Sequence, residues 1–202
     1  MKFSLALLLT FAASISAHAV ILQASGEGDK VSKGFQVRED VSREGTGRAA
    51  QVDTSIIRAG EQASGLAGSC GRTNADGPIN VQEEMRKAAQ RTSLAEVRAG
   101  GEITMTTHVV NGDGRGPFTC QASADDGASW TDMVVTTNVP GGRIRATDFP
   151  LKARVPASMT GNAQGLMTVR CMNSARAGKL VQQMIHLLTH KVRSVAVSQL
   201  GL

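Results

Sequence analysis

Residues 106–118 read TTHVVNGDGRGPF, a run that alternates as a strand does, carries one histidine at His108, and breaks into a glycine-rich turn. The period of two puts His108 on the face of Thr106 and Val110, opposite Met105, Thr107 and Val109. Outward from this stretch the same grammar recurs. Residues 102–110, 117–122, 131–137, 143–146, 149–155 and 166–172 read as strands. Turn signals separate them, among them Asn111-Gly112-Asp113-Gly114, Asp125-Asp126-Gly127, Pro140-Gly141-Gly142 and Thr160-Gly161-Asn162. Short strands at regular spacing predict a mainly β protein, an antiparallel immunoglobulin-like β-sandwich with long loops and one or two short helices.

The N-terminal part is less regular. Residues 19–23 form a short apolar strand, and residues 24–51 are polar and glycine-rich, a long loop with at most a brief strand at 35–37. Residues 55–57 are briefly apolar, and 59–78 return to turn chemistry. The clearest helix covers 81–91: Asn80 caps it, Glu83 stands three residues on as in a capping box, and Val81, Met85, Ala88 and Ala89 form its apolar stripe. Glu83 and Glu84 do not make an acid pair, because sequence neighbours on a helix point apart. In the tail, Leu180, Met184, Leu187 and Leu188 follow helical spacing, with 192–197 more strand-like. His186 and His190 are four apart, but no acidic residue completes an HExxH pattern, so they read as structural.

With 202 residues, one domain of ordinary size is expected. Residues 1–17 read as a secretory signal peptide, with Lys2 ahead of an apolar run and then small residues; 18–178 form a single β-sandwich domain; 179–202 form a divergent C-terminal extension. No later stretch approaches the roughly 18 apolar residues of a membrane span, so no transmembrane segment is expected and the protein is read as secreted. Two cuts compete, after Ala17, which leaves His18 first, and after Ala19, which discards it. Lys and Arg number 22 against 17 acidic residues, but they are scattered without aromatic interleaving, which argues against nucleic acid. With no Tyr, one Trp and five Phe, a platform of stacked aromatics for neutral sugars is not expected. Of three cysteines, Cys120 and Cys171 both lie in strand-like segments and are the preferred disulfide; metal ligation by three scattered cysteines is weaker without a CxxC spacing.

Seven segments, in order, resemble the fungal appressorial surface proteins, the Egh-like virulence factors: VDTSIIR at 52–58, CGRTNADGPIN at 70–80, TMTTHVVNGDGRGPFTC at 104–120, VTTNVPG at 135–141, ATDF at 146–149, VPASM at 155–159 and LMTVRCMNSARAG at 166–178. The resemblance implies a secreted fungal protein of infection structures that acts in penetration of host cuticle or wall. It also implies a mature N-terminal histidine followed by a small residue, matched at His18-Ala19, which favours the cut after Ala17. After Gly178 the family pattern of Pro-Phe-Gly-Gly-Cys is replaced here by Lys179-Leu180-Val181-Gln182-Gln183.

An N-terminal histidine chelates a metal through its amine and imidazole together, and one further imidazole completes three nitrogen donors that suit copper. This is the histidine brace of lytic polysaccharide monooxygenases. His18 and His108 are the metal candidates, with Phe118 or Phe149 for the axial position and a cell-wall or host-surface polysaccharide as partner. If the Thr106 face is core, His108 is instead a hydrogen-bonded buried imidazole. A non-enzymatic wall or adhesion protein and a copper-binding module without oxygen chemistry are the other readings. No GxSxG motif and no convincing carboxylate pair supports a hydrolase.

Overall fold

Alternating apolar residues need a second apolar layer, and this chain supplies it by curling one sheet over itself. The computed structural model describes residues 18–90, 94–173 and 180–190, the last by its backbone alone. Its strands are β1 (Ala19–Ser25), β2 (Val31–Lys33), β3 (Arg72–Thr73), β4 (Gly77–Pro78), β5 (Ala95–Arg98), β6 (Glu102–Val109), β7 (Phe118–Ser123), β8 (Thr131–Thr137), β9 (Thr147–Arg154), β10 (Leu166–Asn173) and β11 (Leu180–His190). Two helices, α1 (Ala59–Ala63) and α2 (Val81–Ala89), interrupt the first half.

Nine strands run in the order β2-β1-β6-β9-β8-β7-β10-β11-β5, while β3 and β4 form a separate ribbon. All pairings are antiparallel except β11 with β5. The fold turns at β8, whose first residues pair with β7 and whose last pair with β9, so one strand serves both layers. The Glu27 N–H donates to the Glu96 carbonyl at 2.6 Å and brings the β1–β2 edge to β5. The result is mainly β and sandwich-like.

Between the layers lie Ile21, Ile103, Met105, Val109, Leu151, Met167 and Val169, all fully buried. Each contributes about 1.5–3 kcal/mol by leaving water. Cys120 and Cys171 stand directly opposite in the β7–β10 register and form a disulfide, with the S–S bond at 2.07 Å. A second cluster, containing Phe35, Ile79, Val81, Met85 and Leu166, packs α2 on the other face of β10. There the Thr168 hydroxyl donates to Met85 Sδ at 3.0 Å. Asn80 caps α2 by accepting from the Glu83 N–H at 3.1 Å.

Some expectations change. Residues 143–146 form no strand: Ala146 has a φ of 41°, and its N–H donates to the Val110 carbonyl at 3.0 Å. Residues 35–37 are not a strand either; the pairing falls on β2 just before them. The helical spacing in the tail yields no helix. Backbone 180–190 is β11, paired with β10 on one side and β5 on the other. β10 pairs along 180–188 and β5 along 187–190, and these ladder bonds take up backbone groups to an extent that local helical spacing does not outweigh. The sequence boundary after Gly178 therefore falls just before a strand of the same sheet. The signal peptide and residues 192–197 lie outside the described residues.

Candidate functional site

Register places the two histidines. Val20 faces His108 and Ala19 faces Val109, and the Val110 N–H donates to the His18 carbonyl at 2.7 Å, which continues the β1–β6 pairing to His18. His18, Val20, His108 and Val110 thus share one face, and His18 and His108 are diagonal neighbours on it, with Cα atoms roughly 7–8 Å apart. That is a separation two imidazoles can bridge through one ion.

This face is opposite the core, which takes Ala19, Ile21, Met105 and Val109. It is nevertheless buried: Val20 and Val110 are 0 % exposed, His108 1 % and His18 8 %. The Thr106 face is therefore not the main core, yet its histidine is sealed. Residues 48–74 lie over His18 and with it line a cleft of about 500 Å³. Asp53 anchors this layer, accepting from Arg43 Nη1 at 3.0 Å and from the Arg38 N–H at 3.1 Å.

Each imidazole has one buried nitrogen with no hydrogen-bond partner among the described residues: Nδ1 of His18 and Nε2 of His108. The other nitrogen of His108, Nδ1, is 2.6 Å from Asp148 Oδ1. A carboxylate there takes the ring N–H, so Nε2 carries the free lone pair a metal needs. Asp113 Oδ2 stands 3.3 Å from His18 Nδ1, in ion-pair range but without hydrogen-bond alignment.

The 106–118 turn is tied to this place. Asn111 Oδ1 accepts from the Asp113 N–H at 3.1 Å, and Asn173 at the end of β10 donates through Nδ2 to the carbonyls of Asp113 (3.2 Å) and Arg115 (2.6 Å). Gly114 lies so close to the start of β1 that an added Cβ would sit 2.1 Å from the His18 carbonyl oxygen. The glycine is there for approach, not for an unusual φ.

Phe118 and Phe149 do not join the histidines. Phe149 pairs with Thr107, on the core face, and Phe118 is buried in the inner cluster, so neither reaches the His18–His108 side of the sheet. His186 and His190 lie on a strand, where four residues span roughly 13 Å, too far to share one ion. Cys70 is a buried free thiol. Sequence reasoning missed Asp148 and Asn173, which only register and turn packing bring in, and it read Asp113 as a turn former alone. No helix among the described residues is long and apolar enough to cross a membrane.

The family described as Egh16-like virulence factor matches residues 16–180. The chain is 35 % identical over 192 residues to the appressoria-specific virulence factor GAS1 of Pyricularia oryzae, covering 88 % of the chain and 74 % of the relative. It is 26 % identical over 250 residues to the appressoria-specific virulence factor GAS2 of the same organism, covering 88 % and 86 %.

Proposed function

This chain belongs to the Egh16-like virulence factor family, and on that premise we propose that it is a secreted, virulence-associated fungal surface protein, acting in host penetration, that binds copper through His18 and His108. The observation that supports this is the pair of unpartnered nitrogens, His18 Nδ1 and His108 Nε2, on one sheet face. Buried polar atoms without partners are costly, and a metal shared between them removes the cost. Signal cleavage after Ala17 adds the third donor, the freed amine of His18.

The residues divide the work. Asp148 fixes the His108 ring and leaves its Nε2 as the donor. Asp113 offers a carboxylate beside His18, and Asn173 holds the turn that carries it. Copper, when bound, would supply one-electron chemistry for oxidative attack on a polysaccharide C–H bond. Because neither Phe118 nor Phe149 lies on this side, a binding protein is favoured over a monooxygenase that uses an axial aromatic.

N-terminal sequencing of the secreted protein comes first: a chain starting at Val20 removes the brace. Copper titration then separates the readings. Affinity falls by orders of magnitude in His18→Ala and in His108→Ala; affinities equal to wild type would leave a wall or adhesion protein without a metal. Oxidised products from chitin, cellulose or xylan in the presence of a reductant would establish the enzymatic reading.

A further inference from the structure

We propose that the cleft over His18 binds a carboxylate-bearing polysaccharide, a chain of uronic acid residues. Its lining includes Arg48, Arg58, Arg72, Gln51 and Asn74 together with His18. Of the three guanidinium groups, two pair with a carboxylate, Glu61, which meets Arg58 Nη1 at 3.0 Å and Arg72 Nη2 at 2.9 Å, while Asp53 of the same layer is taken by Arg43. Arg48 is exposed and makes no ion pair among the described residues. The cleft therefore keeps an excess of two positive charges, and Asp113 beside His18 offsets one of them.

The arginines are oriented. Arg72 donates through Nε and Nη2 to Glu61 and through Nη1 to Asn74 Oδ1 at 3.1 Å, which fixes the plane of its guanidinium. That edge of Arg72 is taken by Glu61, so the exposed guanidinium of Arg48 is the fork left for a sugar carboxylate, whose planar geometry it matches better than an ammonium does. Gln51 and Asn74 add amide groups suited to sugar hydroxyls. Neutral glycans would want an aromatic face, and none lines this cleft; Trp130 lies elsewhere, with Arg170 3.9 Å above its ring.

This inference rests on the cleft beside His18 being open to a ligand, and not on the metal. The test uses the full secreted chain treated with a chelator, titrated with a polygalacturonate oligomer, its fully methyl-esterified form and a neutral β-glucan oligomer of equal length. The acid oligomer binds, with the ester at least about tenfold weaker, as for the loss of a charge-assisted hydrogen bond. Arg48→Ala weakens the acid oligomer about five- to tenfold. Arg154→Ala, six residues along β9 from Asp148 and roughly 20 Å away, leaves it unchanged. Equal binding of acid and ester, equal binding of the neutral glucan, or an equal loss in Arg154→Ala overturns the proposal and leaves only general attraction to a basic protein. His108→Ala run alongside keeps the two readings apart: it abolishes copper binding and leaves the chelated protein's affinity for the acid oligomer as it was.

Discussion

Where β1 and β6 meet at the His18–His108 end, the sheet has two faces that are both buried and built unlike. Inward, Ile21, Met105, Val109 and Leu151 meet the opposite layer as apolar packing. Outward, His18 lies under residues that bring charge, and His18 and His108 each leave a nitrogen without a hydrogen-bond partner among the described residues. Adjacent residues of one strand thus serve opposite ends. The face closed by another sheet holds few polar groups, Thr107 among them, whereas the one closed by the 48–74 layer holds two imidazoles. A loop layer tolerates this because its own backbone and side chains can be arranged around the polar atoms.

The sharpest test of the contrast is Met105→Ala, one face away from the histidines. Deleting this fully buried side chain costs about 2–5 kcal/mol in denaturant unfolding, with copper affinity of the folded fraction unchanged. A loss of affinity as large as that in His108→Ala would mean that the two faces are not independent.

Asp53→Ala attacks the covering layer. Asp53 is fully buried while Arg43 keeps 22 % of its side chain in water, so breaking the pair costs about 2–3 kcal/mol, below the range for a fully sealed pair. Hydrogen exchange should rise over residues 38–58 and remain low in β7 and β10. Protection lost evenly across the sheet would show that the layer is not a separate unit.

Gly114→Ala forces a methyl group into the His18 carbonyl. It costs about 1–3 kcal/mol as overpacking does, and weakens copper binding by moving the first ligand. Stability lost with metal affinity intact would separate the turn from the site.

The smallest effect lies far from both faces. Asp125 has its pKa lowered from 3.8 to about 2, first by the Ser129 hydroxyl and backbone N–H and then by Ser123. Its contribution is fully present above the unfolded value near 4 and is lost as pH falls through about 2. Because the group is largely exposed, the effect is small. Thermal unfolding followed from pH 5 to pH 2 should drop slightly more in wild type than in Asp125→Asn; parallel curves would count against the linkage.

Much of the sheet was legible because period-two alternation and turn residues are local. Thr131–Thr137 coincides with the expected strand, and Asn80 caps α2 as its spacing requires. The failures lie where distant partners decide. Leu180–His190 has helical spacing but takes a strand because β10 and β5 offer unpaired edges. Ala95–Arg98 is too short for a pattern and exists by pairing with β11. At the site, the sequence named His18 and His108 but also placed Phe118 and Phe149 beside them, since alternation tells which residues share a face and not which face meets which layer.

By itself the sequence determined that this is a strand-rich chain, which residues alternate along each strand, and that His18 and His108 are the histidines ahead of the tail. Only the tertiary structure decided the rest. Asp148 lies 40 residues from His108 and Asn173 60 from Asp113, and each comes into contact through strand register and turn packing. The arginines over His18 come from residues 48–72, a stretch of short elements with no periodicity to read. Local spacing fixes the direction of a side chain, but its surroundings are set by parts of the chain that folding brings together.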